Sequence, residues 1–527
     1  EKYDGDWIDG KMCGNGKYFY SDGSIYEGEW YNDRRHGNGI YTYENGNCIY
    51  DGEWYEGKRD GNGKNKWSDN ESYDGEWKNN MKHGKGAYIF NDGSLYHGEY
   101  YEDKKHGQGV LTKTNFEVYG GEWRDDMKHG WGISSCLDGS GYEGNYYNGK
   151  RHGSGIQRMA DGSKYNGLWL NDQMDGKGTF IYSSGDKYEG SFSRDKKNGW
   201  GIQYFSDGTT FYGEYFQDKL SGRGVIKYSN GDIYDGEVLD FEKHGKGIMT
   251  FLDGSVYNGD YKRNSKSGEG ILRYSNGDMY KGEWNEDYYH GSGIYIYSNG
   301  DIYDGYYTKG MRKNGKFTTL TGYEYQGKWY NNLSHGKGIE IKENGDCYDG
   351  FWYEGKYHGQ GTYKSKNGSI FKGIYVNGLR EGKGIYTSLI EGNYEGLWKD
   401  DMKEGYGIWT YDEIEKYTGE WSKNLFHGKG IRVYKNGDTY DGEWKNNERC
   451  GYGILITCHG RKYYGNFKYD VKNGEGIEEI PSIEVYTGDW KNDLRDGQGK
   501  LTSMNGGEYV GDFKNGLKDG KGINSYP

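Results

Sequence analysis

The residues of this chain that could do chemistry are its twelve histidines, six cysteines and 81 acids, and their spacing limits what they can do. Ten histidines, His36, His83, His106, His129, His152, His244, His290, His335, His358 and His427, occupy one place in a recurring pattern, ten residues after a leading aromatic. Stacked equivalents of that place would lie about 9.6 Å apart, two strand spacings, whereas zinc holds nitrogen ligands at about 2 Å. They read as turn residues favoured by the pattern. Cys13, Cys48, Cys136, Cys347, Cys450 and Cys458 show no C-x-x-C spacing, which fits a reducing, intracellular compartment better than a disulfide framework. The many G-x-G pairs resemble phosphate loops only superficially, since no helix follows whose N-terminus could bind an anion. The acids are laddered along strands, with no isolated carboxylate pair for acid–base work. No catalytic residue, cofactor site or metal site is expected.

What arranges these residues is a beat of 23. An aromatic, a glycine two residues later and another aromatic two beyond recur 23 times, from Tyr3-Asp4-Gly5-Asp6-Trp7 to Tyr509-Val510-Gly511-Asp512-Phe513. Such copies fill all 527 residues, so the domain expectation is one continuous array over 1–527, with an irregular copy near 303–325. A hydrophobic content of 32% with mean hydropathy −1.14 would by itself read as disorder. The 59 Tyr, 17 Trp and 16 Phe supply apolar surface instead, and 96 Gly with only two Pro point to strands and tight turns.

Each copy reads as a hairpin. Tyr26-Glu27-Gly28-Glu29-Trp30 alternates rings with acids, the signature of a half-buried strand. A turn follows at Asn32-Asp33-Arg34-Arg35, and His36-Gly37-Asn38-Gly39 leads into a second strand, Ile40-Tyr41-Thr42-Tyr43. Pairs such as Asp22-Gly23, Asp92-Gly93 and Asn230-Gly231 return the chain to the next copy. Gly28 lets neighbouring rings pass over the backbone, while Gly37 and Gly39 leave a turn where a positive φ or a close approach is needed. A lone hairpin is marginal in water, so stability must come from stacking: about 46 strands, on the order of 220 Å at about 4.8 Å per strand. The fold expected is all-β, an elongated single-sheet solenoid of about 23 stacked antiparallel hairpins (spacing as above). The second aromatic fails only at Val238; Trp7, Trp30, Trp54, Trp77, Trp123, Trp169, Trp284, Trp329, Trp352, Trp398, Trp421, Trp444 and Trp490 form a structural spine rather than a ligand box.

The run Tyr73-Asp74-Gly75-Glu76-Trp77-Lys78-Asn79-Asn80-Met81-Lys82-His83-Gly84-Lys85-Gly86 resembles MORN repeats, the membrane occupation and recognition nexus motif, and the likeness covers the whole chain. One copy departs: after Tyr303, Gly315 reads as one place late and Phe317 stands where the second glycine belongs, with a shortened return to Tyr325. Other copies lack the return-turn glycine, around Glu391 and Ile414. The resemblance implies fold more than function. Similar proteins include radial-spoke-head subunits of motile cilia, protist cytoskeletal scaffolds, junctophilins, plant phosphatidylinositol-phosphate kinases and a SET-domain methyltransferase. The enzymes among them carry their chemistry in a separate domain, for which this chain has no room.

A net charge of −13 and a pI near 5.5 oppose nucleic-acid binding and weaken the lipid reading. Lys82, Lys104-Lys105, Lys128 and Lys150-Arg151 form a basic row on one edge, suited to weak anionic-lipid contact, while Glu53, Glu76, Glu99 and Glu122 line a face as solvated charge. No apolar run reaches membrane-spanning length, and no signal peptide is visible. The residue three after the leading aromatic is acidic from Asp6 to Glu122, then becomes Tyr306, Phe351, Ile374 and Leu397, with Leu168 alone earlier. That exposed stripe is expected to dock a protein partner or a second copy. The function expected is a non-catalytic, elongated structural scaffold that organises protein partners in a cytoskeletal or ciliary axonemal assembly. The alternatives are a tether for phosphoinositide headgroups at the membrane–cytoskeleton interface, and the repeat portion of a larger enzyme or viral structural protein. Glu1 in place of Met and uncapped ends suit a fragment of a longer chain.

Overall fold

The computed structural model describes residues 1–44, 46–68 and 70–527. The hairpin starts from its turn. Asn32 and Asp33 have φ of 51° and 64°, the type I′ geometry whose twist matches that of paired strands. Where the second residue is neither Asn nor Asp it is often glycine, as at Gly57 and Gly149, both with φ of +83°. Strands Ile25–Tyr31 and Arg34–Thr42 abut this turn directly. The expected turn extends to Arg35 and the expected strand starts at Ile40. The structure corrects both, because His36, Gly37 and Asn38 lie within the strand as a bulge opposite Glu29. Gly28 pairs with Gly39 and Trp30 with Arg35 on either side of it. Gly37, with φ of +59°, takes the bulge conformation that a side chain resists.

The return loop is built differently. The Tyr20 N–H donates to the Ser24 carbonyl, and the Gly23 N–H to the Tyr20 carbonyl. Gly23 sits at φ of +83°, so the loop is a three-residue turn closed by a left-handed glycine.

Two compact units divide the chain, Glu1–Ser265 and Lys266–Pro527. In the first, strands from Lys2–Ile8 to Val256–Lys262 pair antiparallel with their chain neighbours. In the second, strands from Ser265–Arg273 to Leu517–Ser525 do the same. Among the described residues there is no helix. The fold class is the expected one, all-β, with hairpins stacked as a single-sheet solenoid in each unit.

The core is one residue deep and lies on one face. The Tyr26 ring lies flat across the paired glycines: a Cβ on Gly39 would stand 2.2 Å from its hydroxyl, and one on Gly28 would stand 2.3 Å from the Gly39 Cα. The Tyr26 hydroxyl donates to the Glu29 carbonyl at 2.9 Å. Trp30 meets Tyr26 edge-on at 5.1 Å, and Trp54 of the next hairpin does so at 5.4 Å. The Trp54 indole N–H donates back to the Gly39 carbonyl at 3.0 Å. In copies like these the ring bridges two hairpins while its polar atom is satisfied by backbone, which is how a chain so poor in aliphatics stays folded.

Three departures have local causes. In the irregular copy Gly315 pairs with Gly305, Phe317 with Tyr303, and Tyr307 with Arg312. Gly315 is therefore the second glycine arriving one place early and Phe317 follows it on the ring face, which corrects the sequence alignment. The bulge is one residue shorter, so the positive-φ glycine is not needed. At Val238 the ladder is repacked rather than broken: Leu220, fully buried, lies 3.0 Å from where a Gly213 Cβ would stand, and Phe241 packs on Phe211 at 5.8 Å. Among the spine tryptophans, Trp7 is 57% exposed and Trp329 half-buried, while the others are buried.

Candidate docking surface

The ring face consumes the basic row. Strand alternation places Lys82 opposite Trp77, and its ammonium lies 4.4 Å from the Tyr88 ring and 5.2 Å from Tyr100. Lys105 and Lys128 sit likewise over Trp123 and Tyr119. The Arg151 guanidinium lies 4.1 Å from Trp169. Burial lowers the pKa of Lys82, with Asp103 opposing, and lowers that of Lys128, with Glu117 opposing. The expected basic edge is thus split. Lys104 and Lys150 stay exposed, Lys104 pairing with Asp125 at 3.6 Å, while the alternate cations roof the rings.

The opposite face holds the acids, and they also have internal work. Glu29 accepts the N–H of Asn38 at 2.9 Å, Glu53 that of Asn62 at 3.0 Å and Glu76 that of Lys85 at 3.0 Å. Asp6, Glu283 and Asp489 repeat the bond. The carboxylates expected as a solvated ladder are caps for the bulge. The histidines are bulge residues rather than turn residues. His36 lies between Tyr31 and Tyr55 at 5.4 and 5.2 Å, and His335 between Tyr330 and Tyr353 at 5.4 and 5.3 Å. The sequence reading missed these partner tyrosines. Their signal is the doubled aromatic, as in Trp30-Tyr31, Trp54-Tyr55 and Trp352-Tyr353. Among the described residues no three His, Cys, Asp or Glu side chains converge as a metal site.

One part of the outer face lacks the carboxylate caps. Phe351, Ile374 and Leu397 take the cap position in three consecutive repeats, the first 49% exposed, the last 38%, and Ile374 half-buried. Their side chains lie over the bulge glycines in the acid's stead; Leu397 Cδ1 is 3.0 Å from where a Gly405 Cβ would stand. Tyr306, expected in the same stripe, is separated from it by the repeat whose cap position is Lys328. Strand register sets Lys337 opposite Phe351, Gln360 opposite Ile374 and Lys383 opposite Leu397. A parallel row runs Lys372, Ile385, Glu395, Ile408. Between the rows lies a concavity of about 470 Å³, lined by Lys372, Lys383, Ile385, Glu395, Leu397 and Tyr406. Its floor includes the paired glycines Gly373–Gly384 and Gly396–Gly407. Ile385 was not singled out in the sequence because isoleucine recurs at that place along the array, as at Ile40 and Ile133, and Tyr406 was not because its place varies freely, as Asn38, Lys85 and Trp131 show.

The MORN repeat model matches residues 3–25, 26–48 and onward through 280–302, then from 325–347 to 509–527, with 303–324 the longest unmatched stretch. The chain belongs to the MORN-repeat family. No curated protein matches it significantly. Among solved structures it has local likeness to the TCP10 domain of Danio rerio CPAP, at 13% identity over 41% of this chain and 96% of that one, with a TM-score of 0.23. It has a similar likeness to the SAS-4 TCP domain of Drosophila melanogaster, solved with a proline-rich motif of Ana2, at 18% identity over 28% and 81% of the two chains, TM-score 0.19. A streptogramin B lyase aligns at 16% identity over 55% and 86%, TM-score 0.10. Scores of that size fall short of a shared overall fold.

Individual MORN repeats also vary inside. On the ring face Glu340 replaces a tyrosine and accepts from the hydroxyls of Tyr323 and Tyr357. Glu478, fully buried, binds Lys472, Arg461 and Arg495. Burial alone raises the pKa of Glu478, and its bonds to Lys472 and Arg461 outweigh that and hold it below the usual carboxylate value. Trp398 is buried with no acceptor for its indole N–H; in the preceding hairpin, Phe371, which packs on it at 5.2 Å, stands where most copies have tyrosine. These groups tune how one repeat sits on the next, and none combines with a nucleophile.

Proposed function

We propose that this MORN array is a non-catalytic structural scaffold that holds protein partners in a cytoskeletal or ciliary axonemal assembly, with Phe351, Ile374 and Leu397 as one docking point. The observation that carries this reading is how the repeat spends its own chemistry. Histidines stack on tyrosines, carboxylates cap bulges and cations roof rings, which leaves a repeated surface with few unspent reactive groups. A place where that economy stops, as it does at the apolar stripe, suits contact with another molecule rather than turnover. The phosphoinositide-tether alternative loses Lys82, Lys105, Lys128 and Arg151 to the rings.

The test is detergent extraction of cells that make the tagged chain. The scaffold reading expects the chain to stay with the insoluble cytoskeleton or axoneme. Complete release by detergent, or salt-sensitive flotation with phosphoinositide vesicles, would count against it.

A further inference from the structure

The apolar stripe is also where the charge balance of the outer face fails. At several other places on this face a cation stands opposite an acid and bonds to it. Lys17 pairs across strands with Glu27 at 2.7 Å, Lys64 with Asp74 at 3.6 Å and Lys246 with Asp260 at 3.0 Å. In the stripe the acids of the cap position are gone and the lysines remain, with Asp349, Glu381 and Glu395 as the acids nearby. Lys328 faces Asn314, Lys337 faces Phe351, Lys383 faces Leu397, and Lys372 lies between Thr362 and Ile385. All four are exposed, and among the described residues none makes an ion pair. An acidic chain of net charge −13 thus carries, over four repeats, a patch that is apolar and locally basic.

We propose that this patch binds an acidic peptide segment of a partner protein, with apolar residues seated on Phe351, Ile374, Leu397 and Ile385 and carboxylates reaching Lys337, Lys372 and Lys383. This rests on the protein-docking part of the scaffold reading and names the partner's chemistry. Stripe residues one repeat apart lie about 9.6 Å from each other, two strand spacings. A helix returns a side chain to the same face after seven residues, about 10.5 Å, and a polyproline II segment does so after three, about 9.3 Å. Either backbone can therefore set an apolar residue against each of the three. The sheet's twist then turns the row away, which limits the segment to about three repeats. The concavity between the two rows, with Ile385 and Leu397 on its walls, takes side chains. A membrane fits less well, because Asp349 and Glu395 stand among the lysines and a few surface lysines attract an anionic bilayer by only about 1 kcal/mol each. A second copy of this acidic chain would have to present a segment of the same composition.

The experiment selects random 16-residue peptides displayed on phage against the purified full chain. Selected peptides are then titrated by fluorescence anisotropy against wild type and two variants. One is Phe351→Glu with Leu397→Glu; the other is Lys337→Glu with Lys383→Glu, exposed changes that spare the core. The selected peptides should be rich in Asp and Glu with spaced aliphatic or aromatic residues. Their affinity should fall at least tenfold in both variants, and a phage selection repeated on the second should yield basic peptides instead. No stripe-dependent peptide, or a selection without charge preference, overturns the proposal. Stripe-dependent binding to phosphatidylserine vesicles, or a stripe-dependent dimer in sedimentation, with no acidic peptide selected, overturns it as well. Purified components decide this point. Failure here with the chain still held on the cytoskeleton removes only this inference, and acidic selection by a chain found soluble in cells removes only the assembly.

Discussion

Gly120 and Gly121 are neighbours on one strand, and the structure gives them opposite answers to the same substitution. A Cβ on Gly120 points to the outer face, where its nearest neighbour is Val110 Cγ2 at 3.6 Å, an ordinary contact. A Cβ on Gly121 points to the ring face, 2.5 Å from the Gly132 Cα, 2.7 Å from the Trp131 carbonyl oxygen and 2.8 Å from the Tyr119 hydroxyl. Two of those atoms are backbone, so Gly121→Ala must push paired strands apart by roughly 1 Å. Overpacking of this kind costs about 1–3 kcal/mol. Loosening the bond from the Tyr119 hydroxyl to the Glu122 carbonyl, 2.9 Å long, adds about 1 kcal/mol. A total of about 3 kcal/mol corresponds to roughly a hundredfold change in the local opening equilibrium. In a repeat array the damage stays near its origin. The assay is hydrogen exchange on the intact chain, followed by mass spectrometry of peptides spanning 107–135. Gly121→Ala should lose about two orders of magnitude of protection there, and Gly120→Ala none, with a gain of up to about 0.5 kcal/mol from the stiffer unfolded chain. Equal effects from the two alanines, or unchanged protection in Gly121→Ala, would refute the account of the glycine pairs as the bed of the tyrosine ring.

Three further outcomes follow from the same geometry. Glu76→Ala removes the acceptor of the Lys85 N–H and should cost about 1 kcal/mol, seen as faster exchange over 81–89, with Glu76→Gln recovering much of it. Glu478→Ala strands Lys472, Arg461 and Arg495 without their shared acid and should cost about 3–5 kcal/mol, read by urea unfolding. Because the folded pKa of Glu478 is depressed, its contribution is present above the unfolded value of about 4.3 and is lost as pH falls through the folded one. Wild type should therefore lose more stability than Glu478→Ala on acidification. Burial pushes the phenols of Tyr165 and Tyr486 up to about 12, and that of Tyr26 further. A raised pKa gives stability that is intact below about pH 10 and is lost as pH rises beyond it. Tyrosinate absorbance should therefore show the buried phenols ionising together with unfolding rather than in a separate earlier step.

Much of the hairpin was legible because its signals are local. Aromatics alternating with acids name a strand face, and Asn-Asp or Asp-Gly names a turn, without reference to any other part of the chain. The bulge was not legible in this way. His36-Gly37-Asn38 reads as the tail of a turn because the signal of a bulge is its mismatch with the opposite strand, and that pairing is not written in either strand alone. The same gap hid the role of Glu29, whose partner Asn38 lies nine residues away, and shifted Gly315 to the wrong place in the irregular copy. It also put Lys82, Lys105, Lys128 and Arg151 on an edge. Once the strand begins at residue two of the turn's exit, alternation sends them onto the rings.

The apolar stripe divides along the same line. Phe351, Ile374 and Leu397 announce themselves because they break a rule that the sequence repeats many times. Their neighbours Lys337, Lys383, Ile385 and Tyr406 break no rule, and only strand register sets them beside the stripe. The sequence by itself determined the beat, the strands, the family and the residues that depart from the pattern, since each is a property of spacing along one chain. Tertiary structure alone decided which charges are spent and which are left over. That depends on what stands across the next strand, about 4.8 Å away in space and many residues away in sequence.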